Sequence, residues 1–403
     1  MTDAPKAPDA AGLARRVPAE LPLTFRPVAD PRARQLAVFD PSLKQHSYAY
    51  RATDPRFADP ALAAAWRAAR RTATDAVLSA VAASRWAGHL VLRGSVVLRT
   101  WLGAAAREPG DLDFVLTPAD WVPDDPRTAE LFADLTGAVP TTGAVRFLPA
   151  EAVSEEIWTY ERVPGRRLLL PWEADGLPGG GVQLDFVFTE HLPLEPEPLE
   201  VAPGAVLRVA GRELSLAWKL LWLATDRYPQ PKDLYDAVLL AESTGLRYGV
   251  LREVFTGGEA WLAEAPPGPG AVPGGEPDTG TADWAHFREE HPELTTSGEE
   301  LARRLAAALA PTFAEVPDAG RAAWWTEGWL APLRAAHATG GLDAAEAWLR
   351  ARDASLGLTH RLLQSVLGPD TPDLLATLLA RPAWAGHARI LARGNVSLER
   401  LLN

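Results

Sequence analysis

HLVLRGSVVLRTWLGAAAREPGDLDFVL, residues 89–116, holds two short apolar runs separated by a Gly-Ser turn and by a spacer that leads into Asp111-Leu112-Asp113. The run His89 to Leu92 reads as a short buried strand, Gly94-Ser95 breaks it, and Val96 to Leu102 has the apolar spacing of a short helix. Glu108-Pro109-Gly110 ends that helix, and Asp111 to Leu116 reads as a second strand. Side chains alternate faces along a strand, so Asp111 and Asp113 project together while Leu112, Phe114 and Leu116 point into a core. Strands and helices interleaved in this way imply an α+β domain.

The residue types suit metal-dependent nucleotidyl transfer. Mg²⁺ takes oxygen ligands, keeps several waters and is held by one or two carboxylates together with nucleotide phosphates. Asp111 and Asp113 fit that role. Gly94 lets the backbone approach a triphosphate, and the start of a helix with the Ser95 hydroxyl can hydrogen-bond its oxygens. Arg93, Arg99 and Arg107 are the nearby cations. In-line displacement is well served by two metals about 3.5–4 Å apart, which calls for a third carboxylate. Asp185, in the alternating run Gly181 to Phe188, is the candidate: Leu184, Phe186 and Phe188 share one face, and Asp185 shares the other with Val187. Pairing this strand with 111–116 would bring all three carboxylates together. The preceding Gly179-Gly180-Gly181 reads as a hairpin turn, since no Gly-Lys-Ser/Thr follows it.

Residues 91–116, with their Arg-Gly-Ser, the Arg107-Glu-Pro-Gly spacer and the Asp-Leu-Asp-Phe, resemble the first motif of the AbiEii-type nucleotidyltransferase toxins, a branch of the DNA polymerase β superfamily. The segment Leu216-Ala-Trp-Lys219, followed by Lys232-Asp233-Leu-Tyr-Asp236, is similar to that family's paired downstream motifs, with Lys232 standing where arginine is common. The resemblance covers about 60–245. It implies a polymerase β-like domain with a mixed sheet, a phosphate contact for Lys219 and an active-site place for Asp233. It also implies NTP as substrate with Mg²⁺ or Mn²⁺, an RNA acceptor such as a tRNA 3′ end, and a companion antitoxin. The alternatives are a same-fold enzyme that modifies a small molecule or a protein, and a degenerate member that only binds nucleotide or a partner.

Only Lys6, Lys44, Lys219 and Lys232 are lysine among 40 basic residues. Lysine is a point charge suited to phosphate, whereas arginine is a planar fork. On a helix the neighbours of Lys219 are Ser215, Leu216, Trp222 and Leu223, a mostly apolar face on which a charge needs a partner. A triphosphate is one such partner, and a side chain that carries its head out to water is the alternative. Asp233 could equally be a carboxylate stabilised by the start of its helix, and Asp236 reads as structural.

No cysteine is present, which removes thiolate catalysis, cysteine-ligated zinc and disulfides. His286 and His291 have the wrong spacing for two zinc ligands on one helical face. With 47% hydrophobic residues and 15 Trp the chain can build sizeable cores. It offers neither a signal peptide nor the run of about 20 apolar residues that a membrane span needs, so a cytoplasmic location is expected. The net charge of -12 means that nucleic acid would have to meet a local basic surface. Arg67-Arg70-Arg71 and Arg162-Arg166-Arg167 are the candidate clusters. The expected organisation is an N-terminal arm over 1–58, disordered to about residue 20; a catalytic domain over 59–210; a helical domain over 211–262 that completes the active site; a Pro/Gly-rich linker over 263–282; and a helical region over 283–403.

Overall fold

The computed structural model describes residues 8–159, 163–190, 192–226, 230–258, 281–292, 294–315, 326–352, 354, 356–368, 373–385 and 388. They fall into two compact units, residues 1–245 with 273–308, and residues 246–272 with 309–403. The division differs from the expected segments. The helices of 212–243 and 281–290 belong with the catalytic sheet, while the helix Tyr248–Gly258 belongs with the C-terminal unit. Most of the expected linker, residues 263–280, lies outside the described residues.

In the first unit the arm begins with helix α1 (Ala10–Arg16), whose N-cap Asp9 accepts from the Gly12 N–H. Residues 10–16, expected to be disordered, are therefore ordered, because Ala10 and Leu13 pack on Phe25 and Ala37. Four short strands follow: β1 (Ala33–Arg34), β2 (Ala37–Phe39), β3 (Tyr50–Ala52) and β4 (Arg56–Phe57), paired β1 with β4 and β2 with β3. Asp59 caps the long helix α2 (Pro60–Ala83), with proline at its first position, where the missing N–H costs nothing. Its buried residues Trp66, Ala73, Val77, Leu78 and Val81 recur at helical intervals and face the sheet core.

The main sheet is mixed. Strand β5 (Leu90–Arg93) leads into helix α3 (Ser95–Leu102), then strand β6 (Leu112–Leu116), helix α4 (Pro126–Ala138) and the short strand β7 (Arg146–Phe147). Strands β8 (Val153–Thr159), β9 (Val163–Ala174), β10 (Leu177–Val187), β11 (Glu197–Ala202) and β12 (Ala205–Val209) complete it. The order is β11-β12-β5-β6-β10-β9-β7, with β8 pairing β9. β5 runs antiparallel to β6, and β10 runs parallel to it. Leu112, Phe114 and Leu116 are buried in the core with Leu184, Phe186 and Phe188, and the rings of Phe114 and Phe186 stack at 5.6 Å. Helices α5 (Arg212–Thr225), α6 (Pro231–Ser243) and, after 273, α8 (Thr281–Glu290) complete this unit's contribution to the site; α7 (Tyr248–Gly258) lies between them in sequence.

The glycine run does not turn the chain. The β9–β10 reversal falls at Asp175-Gly176, with Gly176 at φ +72°, and Gly179 to Gly181 lie inside β10. A Cβ at Gly180 would sit 2.5 Å from the Trp172 ring, and one at Gly181 would sit 2.8 Å from Leu169. Glycine is needed there so that β9 can lay large side chains across β10. In the second unit, helices Ala331–Arg350, Leu356–Leu367 and Leu374–Leu379 bury Leu333, Leu349, Leu362 and Leu378 in a core of their own. No helix among the described residues is long and apolar enough to cross a membrane.

Candidate active site

Register places the carboxylates. Arg93 of β5 lies opposite Asp113 of β6, and Asp113 lies opposite Asp185 of the parallel strand β10. Asp111, Asp113 and Asp185 thus offer carboxylate oxygens within 4.8 Å of one another. Gly94, at φ +82° and ψ -154°, makes the turn from β5 into α3 in a region almost closed to other residues. A Cβ there would lie 2.5 Å from Asp113 Oδ2, so glycine is required by conformation and by space alike. Ser95 opens α3, is 2% exposed, and its Oγ is buried without a hydrogen-bond partner among the described residues. A buried hydroxyl of this kind needs a partner.

The electrostatics are unbalanced. Burial raises the Asp113 carboxyl, and the neighbouring Asp111 and Asp185 raise it further, to about 7, against the pull of Arg93 and Lys232. Burial works against ionisation of Asp111 too, but Lys232, Arg107, Arg167 and Arg51 outweigh it and hold that carboxyl below its ordinary value. Asp185 is raised, burial outweighing the contact with Arg167. Three carboxylates this close, two of them driven toward protonation, form a donor set suited to a hard divalent cation.

Asp185 is gripped from behind. Arg167 of β9 donates from Nε and Nη2 to its two oxygens, each at 2.8 Å. Arg167 is 3% exposed and so is not part of an open basic surface for nucleic acid. Arg166 is half-buried, lies over the Phe132 ring at 5.6 Å and donates to Ser154 Oγ at 3.2 Å. Arg162 is outside the described residues. The cluster read from sequence as a basic patch is thus turned inward where it is described. The β9–β10 hairpin, which sets Arg167 opposite Asp185, is the signal that would have found this pairing.

Lys219 is 5% exposed on α5, which rules out a head carried to water. Its Nζ meets Asp233 Oδ1 at 2.6 Å and Asp236 Oδ2 at 3.1 Å, both on α6. Arg107, from the spacer before β6, holds Asp236 through Nε and Nη2 at 3.2 and 3.0 Å. The partner that the apolar face demanded for Lys219 is therefore a pair of carboxylates. Burial opposes the charge on Lys219, but Asp233 and Asp236 outweigh it and raise its pKa. Of the other nearby cations, Arg93 is 2% exposed, pairs with Glu190 at 2.7 Å and lies over the rings of Trp218 and Trp222. Arg99 donates to the Ala106 carbonyl at 2.6 Å and to Glu108 at 3.2 Å.

A cleft of about 1020 Å³ opens beside Asp111. Arg51 and Arg56 of the arm, Arg67 of α2, Gln183, Lys232 and Glu290 are among its lining. Arg51 pairs with Glu290 at 3.3 Å and Arg56 with Glu289 at 2.9 Å, whereas Lys232 makes no ion pair among the described residues. The contributions of the arm and of α8 carry no motif, which is why sequence reasoning missed them.

Fold and carboxylate geometry together describe a nucleotidyltransferase-type domain. Residues 76–319 match the family described as nucleotidyl transferase AbiEii toxin, type IV TA system, and the chain belongs to that family. Among curated proteins none matches. The solved structure of JHP933 from Helicobacter pylori is similar with a TM-score of 0.39 at 15% identity, over 61% of this chain and 90% of that one.

Proposed function

We propose that the protein transfers a nucleoside monophosphate from an NTP to an RNA 3′ hydroxyl, such as a tRNA end, in a Mg²⁺- or Mn²⁺-dependent reaction that releases pyrophosphate, and that it acts as a toxin restrained by an antitoxin. The observation that carries this reading is the meeting of Asp111, Asp113 and Asp185 within 4.8 Å beside a glycine at positive φ whose Cβ would press on Asp113. Asp111 and Asp113 would hold the metal, which when bound would polarise the phosphoryl oxygens. Asp185 would complete the ligand set or take the proton from the attacking hydroxyl. The Gly94 turn and the unpartnered Ser95 Oγ would receive the triphosphate. Arg107 and Lys219, with Asp233 and Asp236, would fix α5 and α6 against the site, and Lys232, whose charge reaches Asp111 and Asp113, would face the phosphates.

The acceptor would lie along the cleft, which Arg67 and Lys232 line. Arg67 would take the acceptor's phosphates, replacing Arg166 and Arg167 in that role. Incubation with total RNA and each α-labelled NTP should label a tRNA-sized band at its 3′ end, with affinity falling steeply as salt rises. Label on the protein itself or on a small metabolite, with RNA untouched in an active preparation, would move the acceptor to one of those classes.

A further inference from the structure

The segment before residue 76 lies outside the family match, yet it reaches the charged centre of the site. Asp40 caps the turn Pro41–Leu43, its Oδ1 accepting from the Ser42 N–H at 3.1 Å and from the Ser42 hydroxyl at 2.7 Å. Its Oδ2 accepts from Arg167 Nη1 at 2.9 Å, and Arg167 Nη2 donates to Ser42 Oγ at 3.1 Å. This turn is fixed in place: Leu43 packs against Ala49 and Ile157, and Glu155 of β8 accepts from the N–H groups of Leu23 and Thr24. Asp40, Arg167 and Asp185 are all buried, so the three charges are shielded from solvent.

We infer that Asp40 and Ser42 are positioning residues for Asp185, acting through Arg167, so that the N-terminal arm is a working part of the active site. A guanidinium is a rigid planar fork, and once its outer edge is held by Asp40 and Ser42 its inner edge can meet Asp185 in only one orientation. That orientation opposes the tendency of Asp185 to swing away from Asp111 and Asp113. Charge matters as much as geometry. Arg167 alone would neutralise Asp185, but shared with Asp40 it leaves the three groups with a net negative charge, and Asp185 remains able to favour a cation or accept a proton. The inference rests on the nucleotidyl-transfer reading of this site.

The test uses the full chain carrying Asp40→Asn, Ser42→Ala or Arg167→Lys, with Mn²⁺ binding followed by the free-ion EPR signal, and with kcat, KM for NTP and the thermal midpoint measured alongside. Asp40→Asn keeps the shape and removes one buried charge. Mn²⁺ affinity should fall on the order of tenfold, because a charge in a buried site is weakly screened, and kcat should fall with KM for NTP unchanged. Arg167→Lys keeps the charge and loses the fork, so Mn²⁺ affinity should hold while kcat falls on the order of a hundredfold. Ser42→Ala leaves every charge in place, removes only a hydroxyl, and should lower kcat by about threefold at constant Mn²⁺ affinity with the thermal midpoint little changed. Wild-type Mn²⁺ affinity in Asp40→Asn, or wild-type kcat in both Ser42→Ala and Arg167→Lys, would overturn the inference, and a lowered thermal midpoint alone would not rescue it. If the wild type binds Mn²⁺ but transfers no nucleotide, the nucleotidyl-transfer reading fails, and the Mn²⁺ comparison with Asp40→Asn still decides the role of Asp40.

Discussion

Two charge clusters in the first unit are built on opposite arithmetic. Arg107, Lys219, Asp233 and Asp236 alternate in sign, each carboxylate touches a cation, and the four charges cancel. Asp111, Asp113 and Asp185 crowd three carboxylates into 4.8 Å, and among the described residues only Asp185 has a cation in contact, one it shares with Asp40. The first cluster satisfies itself and ties the spacer before β6 to α5 and α6. The second is short of positive charge. A buried group left unbalanced in this way costs stability, and its persistence argues for a ligand that supplies what the protein withholds.

The sharpest way to break the comparison is to neutralise one member of each cluster. Asp113→Asn should lower transfer on the order of a thousandfold, several kcal/mol of metal contribution at about 1.4 kcal/mol per tenfold, and should leave the metal-free protein as stable as the wild type or more so. Lys219→Met should do the reverse. It strands Asp233 in a site where breaking a buried pair costs about 3–5 kcal/mol, so the denaturation midpoint should drop, with activity lost only as the fold is lost. A stable Lys219→Met variant with impaired NTP binding would return that lysine to the phosphates.

Gly94→Ala falls between the two. It adds a strained positive φ and forces the Asp113 carboxylate aside, so it should cost some 1–3 kcal/mol of stability and lower Mn²⁺ affinity together, a pairing that neither cluster variant shows. Wild-type Mn²⁺ affinity in this variant would detach the turn from the site.

A further effect is one of pH. The folded-state pKa of Asp113, about 7, lies above its unfolded value of 3.8, so between these values the folded state binds more protons at this position than the unfolded state does. Its contribution to stability therefore falls as pH rises through that window. In EDTA the stability of the wild type relative to Asp113→Asn should decline from pH 4 to 7 and then level off; added Mg²⁺ should erase the decline, since a metal competes with the proton. A difference independent of pH would mean that the carboxylates are not crowded.

The carboxylate cluster was legible because strand alternation fixes the face of each aspartate; that the strand of Asp185 pairs in parallel with that of Asp113 came from the structure. What failed was whatever depends on a neighbour distant in sequence. Gly180 reads as a turn until Trp172 is seen lying across it, and Arg167 reads as surface until β9 sets it opposite Asp185. The apolar face around Lys219 announced that a partner exists, but which partner depended on how α6 packs against α5. Asp40 and Ser42 sit in an irregular arm without periodicity, so no local pattern could connect them to residues more than a hundred positions away.

Whether the unbalanced carboxylates form a metal-dependent nucleotidyl-transfer site is decided on purified wild-type protein. With an α-labelled NTP and total RNA, the account predicts label in RNA and pyrophosphate released in equal amount when Mg²⁺ or Mn²⁺ is present, and neither in EDTA. Transfer that proceeds equally well in EDTA, or tight Mn²⁺ binding without pyrophosphate release from any of the four NTPs and any acceptor, would contradict it.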